Sequence, residues 1–150
     1  MKKTAAPVRP AIPPANPEMP ALTAWCNGAC ARNPGPMGIG GVVKTASGVT
    51  LAQFSQAVGV GTNNIAEYLA VLQVLELARQ LGAGQLTIWT DSQLVVRQLR
   101  RSCAVRDNRL QALWRQVKSA QRAFPAGTSI RWMPRERNPE ADALATRTLG

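Results

Sequence analysis

The side chains best suited to chemistry are three carboxylates that stand in separate segments of the chain. Glu67 lies in TNNIAEYLA, Asp91 in WTDSQLVV and Asp142 in PRERNPEADALA. The chain has no histidine and only eight acidic residues, so the placement of each acid is informative. Carboxylate oxygens are the hard ligands that Mg²⁺ and Mn²⁺ prefer. If the fold brings the three together, they predict a divalent-metal site.

Such a site would act on phosphodiesters through a pair of bound ions. Two divalent ions roughly 3.5–4 Å apart can hold an attacking water and a leaving oxygen for in-line cleavage. This mechanism needs no protein base, which suits a chain without histidine. An acid in the first turn of a helix also interacts favourably with the helix dipole, and this is the structural alternative for Glu67 and Asp142 taken singly.

A fourth segment, CNGACARNPGPMGIG, presents an amide, Asn27, at the end of a predicted strand. The oxygen of an amide can coordinate a metal ion weakly, whereas its NH₂ group only donates hydrogen bonds. The exchange of a carboxylate oxygen for nitrogen therefore bears directly on whether the chain can cleave anything.

The elements that must position these residues follow from apolar periodicity and turn residues. Three strands joined by short turns predict an antiparallel meander, and the alternation of helices and strands that follows predicts a mixed α/β sheet. Asp91 ends an apolar strand, while Glu67 and Asp142 are expected in first helical turns, with Asn63 or Asn64 as the N-cap of the first helix. The predicted strands are 21–27, 38–44, 49–55, 86–90 and 129–133, and the predicted helices are 63–81, 92–101, 108–124 and 138–149.

Composition divides the chain into a tail and one domain. Residues 1–20 are rich in proline and alanine and carry net positive charge, which predicts a disordered basic tail, and 21–150 are expected to form the domain. No apolar run is long enough to span a membrane. The prolines of the tail also interrupt any signal-peptide core, so we expect a cytoplasmic protein, in keeping with its odd number of cysteines. We also expect a monomer.

The charge balance favours a polyanionic partner. The formal net charge is +10, and basic residues concentrate between positions 97 and 122. A solvated helix face is the ordinary alternative for such a run. We expect instead a surface that grips a nucleic-acid backbone, with Arg97, Arg100 and Arg101 nearest the acids.

Together, the four segments resemble the motif blocks of the type 1 ribonuclease H family in their order and spacing, over residues 22–149. The resemblance implies the ribonuclease H fold, a five-stranded mixed sheet of three antiparallel strands and two parallel additions, flanked by helices. It implies an endoribonuclease that cleaves the RNA strand of RNA–DNA hybrids with two Mg²⁺ ions, or with Mn²⁺. The family's histidine before the last helix is missing here, and its basic excursion between the central helices is shortened.

The resemblance also implies roles for individual residues. Matching the motifs places the family's four metal-binding acids at Asn27, Glu67, Asp91 and Asp142. The same matching assigns contacts with sugars and bases in the minor groove, together with a phosphate-gripping threonine, to Asn33, Asn63, Asn64, Gln93 and Thr62.

Asn27 leaves two alternatives open. In the family, the first aspartate bridges both metal ions, so an amide there predicts a large loss of rate with a small loss of affinity. The exchange is either an engineered one, made to trap uncleaved substrate, or the mark of a natural non-catalytic protein that binds RNA–DNA hybrid or double-stranded RNA. A nuclease of the wider superfamily and a generic α/β interaction domain are the remaining alternatives.

Overall fold

Five strands form one mixed sheet in the computed structural model, which describes residues 19–149. The sheet has the order β3-β2-β1-β4-β5. The first three strands pair antiparallel, whereas β4 lies parallel to β1 and β5 parallel to β4. This confirms the predicted α/β architecture. The predicted tail falls outside the described residues up to position 18. The strands are β1 (Ala21–Cys30), β2 (Gly35–Thr45), β3 (Thr50–Gly61), β4 (Gln85–Thr90) and β5 (Thr128–Trp132).

The four predicted helices are present, with one correction at the start of the first. Its N-cap is Thr62, whose hydroxyl oxygen accepts a hydrogen bond from the Ile65 amide at 3.3 Å, so neither Asn63 nor Asn64 is the cap. Glu67 consequently lies in the second helical turn rather than the first. No helix within 19–149 is long and apolar enough to cross a membrane. The helices are α1 (Asn63–Gln80), α2 (Gln93–Leu99), α3 (Asn108–Gln121) and α4 (Pro139–Thr146), with 3₁₀ turns at Arg135–Arg137 and Arg147–Leu149.

The first three strands are longer than local sequence indicates. Pairing of β1 with β2 continues to Cys30 opposite Met37, through glycines and alanines that have weak strand propensity. Asn27 therefore lies inside β1, and its predicted position at the strand end is wrong. The parallel pairing of β1 with β4 stops at Trp25, opposite Trp89. Beyond that point β4 no longer pairs with β1, and a cleft lined by Asn27, Gly28 and Asp91 lies there.

Helix α1 packs on the sheet through small side chains. Ala66 and Ala70 are fully buried, whereas the larger Leu69 and Leu72 are only partly buried. The reason is the short distance between helix and sheet. A Cβ on Gly28 would lie 2.2 Å from the backbone carbon of Ala66, so only glycine permits this approach.

The last helix is held to the sheet in the same way. A Cβ on Gly40 of β2 would lie 2.3 Å from the backbone nitrogen of Ala145 in α4. Backbone atoms of a packed helix cannot yield as a flexible side chain can. The two glycines thus determine how closely α1 and α4 approach the sheet.

Replacing Gly40 by alanine should lower the free energy of unfolding by about 1–3 kcal/mol, because the added methyl group forces α4 away from β2. Urea unfolding followed by circular dichroism measures the change. The control is Gln53→Ala on the exposed face of β3, which should stay within about 0.5 kcal/mol of the parent. Equal stability of the two variants would contradict close packing at Gly40.

Candidate active site

Four elements bring the predicted metal-binding residues to one cleft. Asn27 comes from β1, Glu67 from α1, Asp91 from the end of β4 and Asp142 from the first turn of α4. The first three line a cleft of about 460 Å³ together with Arg135. Asp142 joins them through its contacts with Asn27 and Arg135. The convergence predicted from separate segments is therefore present in the structure.

Asn27 uses its NH₂ group to bind the acid of the last helix. Its Nδ2 donates a hydrogen bond to Asp142 Oδ1 at 2.9 Å, and the Asn27 side chain is buried. The Nη2 atom of Arg135 contacts the same oxygen at 3.3 Å. Asp142 Oδ1 thus has two N–H donors. An aspartate at position 27 could not donate, and would instead repel Asp142 in the absence of a cation.

Glu67 and Asp91 form a second pair, of like charge. The Gly28 amide donates to Glu67 Oε1 at 2.7 Å and orients that carboxyl toward β1. Burial raises the pKa of Glu67 well above its usual value, and the neighbouring Asp91 charge raises it further, while the Gly28 hydrogen bond opposes the shift. Burial also raises the pKa of Asp91. The charge of Arg135 partly opposes the rise in the pKa of both groups, and a divalent cation would supply further positive charge.

The side-chain oxygens fit a divalent ion more readily at the Glu67–Asp91 pair than at the Asn27–Asp142 pair. Within residues 19–149, no three Asp, Glu, Cys or His side chains form a group ready to hold an ion. Apart from the hydrogen bond that Glu67 accepts from the Gly28 amide, Glu67 and Asp91 present carboxylate oxygens of the kind that hard cations require. Asp142, in contrast, is engaged by the amide and the guanidinium. Completing a shared site requires the Asn27 side chain to turn and offer its oxygen.

Two residues that position the acids were not assigned a role from sequence. Asn138 is buried, and its side-chain Nδ2 donates a hydrogen bond to the backbone carbonyl of Cys26 at 3.0 Å. The backbone carbonyl of Asn138 accepts a hydrogen bond from the backbone amide of Asp142 at 3.1 Å. It therefore ties the start of α4 to β1. Arg135 is the second such residue. The available signal was their position in the acid-bearing segment PRERNPEADALA.

The predicted groove-contacting asparagines meet at the rim of the cleft. Asn33 Oδ1 accepts a hydrogen bond from the backbone amide of Asn63 at 3.0 Å, and this bond joins the β1–β2 turn to the start of α1. Asn63 lines the cleft, and Asn64 is exposed beside it. The Thr62 hydroxyl accepts the capping hydrogen bond described above. The structure thus gathers these four residues in one place.

The predicted basic contacts divide into two kinds. Arg97 is exposed, and its guanidinium donates to Oε1 of Gln93, one helical turn earlier in α2, at 3.4 Å. Arg100 instead donates to the Ile130 carbonyl at 2.8 and 3.1 Å. Arg101 lies over the ring of Trp114 at 5.4 Å from its centroid. Gln93 and Arg97 line a groove with Trp132, whereas the other two arginines contact the Ile130 carbonyl and the Trp114 ring.

The sequence and the fold of this chain are similar to those of known proteins. A family model described as reverse transcriptase-like matches residues 25–148. Ribonuclease HI of Halobacterium salinarum is 35% identical over 126 residues, which cover 84% of this chain and 63% of that protein. The crystal structure of RNase H1 from this archaeon superposes with a TM-score of 0.83 at 34% identity, covering 86% of this chain and 97% of that one. The chain belongs to the ribonuclease H family.

Two further members of the ribonuclease H family are similar. The bifunctional protein Rv2228c of Mycobacterium tuberculosis is 40% identical over 120 residues, 79% of this chain but only 33% of that protein. This chain therefore spans about a third of its length. LC11-RNase H1, whose crystal structure is a complex with RNA/DNA hybrid, gives a TM-score of 0.80 at 28% identity, over 86% of this chain and 99% of that one.

Replacing Glu67 by glutamine should stabilise the protein at pH 8 without divalent ions. Because the folded-state pKa of Glu67 is raised, its ionisation costs stability as the pH rises above the unfolded value of about 4.3. Glutamine removes this cost and keeps an oxygen for the Gly28 amide. The urea midpoint of the variant, measured in EDTA from pH 4 to 8, should therefore rise increasingly above that of the parent as the pH increases.

The control for this series is Glu76→Gln on the same helix. Glu76 pairs with Arg79, whose hydrogen bond lowers the pKa of Glu76, so its replacement should bring no gain at pH 8. If Glu67→Gln is no more stable than the parent at pH 8, ionisation of Glu67 beside Asp91 does not lower the stability of the fold.

Proposed function

We propose that this chain binds RNA–DNA hybrids and hydrolyses the RNA strand as an endoribonuclease that depends on divalent metal ions, at a rate strongly lowered by Asn27. The observation that carries this proposal is the convergence of Glu67, Asp91 and Asp142 on Asn27 in one cleft. Membership of the ribonuclease H family supports it, as does the hybrid-bound structure of LC11-RNase H1.

Two Mg²⁺ ions, or Mn²⁺, would be held by the carboxylates of Glu67, Asp91 and Asp142 and by the side-chain oxygen of Asn27. When bound, such ions supply the Lewis acidity and the activated water for phosphodiester hydrolysis. The Gly28 amide orients Glu67 through its hydrogen bond, and Asn138 fixes the backbone that carries Asp142. These contacts hold the carboxyls in place before substrate arrives.

Asn27 lowers the proposed activity in two ways. It removes one of the four negative charges that would balance two divalent cations. Its NH₂ group also donates to Asp142 Oδ1, so metal binding must break that hydrogen bond and displace Arg135 from the same oxygen. Both effects weaken the grip on metal while leaving the cleft the same size, since an amide and a carboxylate are nearly isosteric.

Recognition of the hybrid is proposed for the polar rim and the basic helix. The amides of Asn33, Asn63, Asn64 and Gln93 can contact sugars and base edges, where the 2′-hydroxyl distinguishes RNA from DNA. Thr62 and Arg97 would contact phosphates. The net charge of +10 favours any nucleic-acid backbone. No second copy is needed to complete the cleft, so we propose that the chain acts as a monomer.

The second candidate is a non-catalytic protein that binds RNA–DNA hybrid or double-stranded RNA through the same surface. The hydrogen bond from Asn27 to Asp142, together with the contact of Arg135, favours it. These two N–H donors neutralise part of the acidic cleft without any metal. Binding by this candidate would persist in EDTA, and it would leave RNA uncut.

Restoring aspartate with Asn27→Asp should raise Mg²⁺-dependent cleavage of the RNA strand on the order of 10²- to 10³-fold. The reason is that charge stabilisation by a properly held metal ion contributes several kcal/mol, and each ~1.4 kcal/mol is a factor of ten. The assay follows a 5′-labelled RNA strand in a hybrid under single-turnover conditions.

A matched double variant, Asn27→Asp with Asp142→Asn, tests whether the gain depends on the shared site. It has the same number of acids as the parent, and it should return to the parent rate. If Asn27→Asp binds hybrid as tightly as the parent does and still leaves RNA uncut, the non-catalytic candidate holds and the endoribonuclease proposal is wrong.

Hybrid binding by the parent should weaken steeply with salt, with a slope of log K against log salt of about −0.9 per phosphate contact. Arg97→Gln should make the slope shallower by about one such contact. Fluorescence anisotropy from 50 to 300 mM KCl would measure both slopes. Arg79, which pairs with Glu76 near the far end of α1, is the control, and Arg79→Gln should leave the slope unchanged. A salt-insensitive parent would exclude a backbone-gripping surface.

A further inference from the structure

An exposed tryptophan lies directly beside the acidic cleft. Trp132 ends β5, and 42% of its surface is exposed. Its indole Nε1 donates a hydrogen bond to the backbone carbonyl of Asp91 at 3.2 Å. The ring is therefore held at a fixed place next to one of the proposed metal ligands. Exposing so large an apolar ring at a fixed position is costly unless something covers it.

The other three tryptophans of the chain are already covered. Lys44 lies over the ring of Trp25, Arg131 over Trp89, and Arg101 and Lys118 over Trp114, at 5.4–5.9 Å from the ring centroids. Among residues 19–149, no cation lies over the ring of Trp132. The ring is thus the one of the four that remains open to a planar partner from outside the described fold.

The groove in front of this ring combines three kinds of contact. It has a volume of about 210 Å³ and is lined by Trp132, Val96, Gln93 and Arg97. Val96 gives it an apolar floor, Gln93 an amide and Arg97 a guanidinium. A flat apolar ring, a hydrogen-bonding edge and an anion are the three parts of a nucleotide. A volume of this size suits one base rather than a duplex.

We propose that Trp132 and Arg97 form a subsite for one unpaired nucleotide, in a single-stranded extension of the nucleic acid held at the acidic cleft. Its base stacks on the indole face, while the guanidinium contacts a phosphate of the backbone, as it does in the proposed complex with a blunt hybrid. Bases inside a duplex have both faces covered by their neighbours, so only an unpaired base can present a face to Trp132. The inference rests on the proposed function only for the presence of a nucleic acid at the cleft.

The test compares blunt RNA–DNA hybrids with hybrids that carry a short single-stranded adenine extension at one end. The parent protein should bind one of the extended hybrids about 5- to 100-fold more tightly than the blunt one, as expected for one stacked base. A 2-aminopurine placed in the extension should lose fluorescence on binding. Anisotropy in EDTA gives affinities without cleavage.

Two substitutions at one position separate stacking from a structural role. Trp132→Phe keeps an aromatic face, and Trp132→Leu keeps apolar volume without one, while both remove the indole hydrogen bond to Asp91. Stacking predicts that the phenylalanine variant retains most of the preference for the extension and that the leucine variant loses it. A role limited to the hydrogen bond predicts equal loss in both, and that result would overturn the subsite. Arg97→Gln should weaken binding of blunt and extended hybrids alike.

The remaining outcomes are distinguishable from failure of the proposed function. No preference for any extension by a protein that binds blunt hybrid would overturn the subsite and leave the proposed function standing. If blunt hybrid is not bound, but a single-stranded oligonucleotide is bound in a Trp132-dependent manner, the subsite is supported and the proposed function fails. Absence of binding to all of these nucleic acids would overturn both.

Discussion

The acidic cleft depends on how closely two helices approach the sheet. Gly28 lets the backbone of α1 touch β1, and Gly40 lets the backbone of α4 touch β2. Any larger residue would push each helix outward by the width of a methyl group or more. Because Glu67 and Asp142 are carried by these helices, the same displacement would separate the acids. The chemistry of the cleft is therefore set by contacts between backbones, at residues that have no side chain.

Once the acids are confined together, the question is what balances their charge. Part of the answer lies in the protein, since Asn27 and Arg135 donate to Asp142. The Glu67–Asp91 pair receives one such hydrogen bond, from the Gly28 amide to Glu67, and burial there raises the pKa of both groups. The protein thus supplies more hydrogen-bond donors to Asp142 than to the Glu67–Asp91 pair. This asymmetry underlies the proposal that one exchange at position 27 separates binding from hydrolysis.

The architecture and the identity of the acids could be predicted from sequence because each depends on local patterns. Strand alternation, helical periodicity and the position of Asp91 after an apolar strand can each be recognised within one segment of the sequence. What could not be read depends on contacts between distant segments. The extension of β1 past Asn27 follows from its pairing with β2, and the buried role of Asn138 follows from its hydrogen bond to the Cys26 carbonyl.

The basic residues show the same limit. The sequence alone does not distinguish Arg97, which is exposed, from Arg100, whose guanidinium donates to the Ile130 carbonyl. The helix α1 gives another example, since Leu69 and Leu72 are only partly buried while Ala66 and Ala70 are fully buried. Both cases depend on contacts between segments that are distant in the sequence.

The hydrogen bond from the Gly28 amide to Glu67 has one more effect, on the chemical lifetime of Asn27. Asn-Gly pairs deamidate readily in flexible peptides, because the glycine nitrogen can attack the side-chain carbonyl and close a succinimide ring. Here that nitrogen lies inside a paired strand, and its hydrogen is bound to Glu67 Oε1 at 2.7 Å. Ring closure would require breaking this bond and turning buried backbone beneath α1. The fold thereby protects its amide from slow conversion into the acid that would change the chemistry of the cleft.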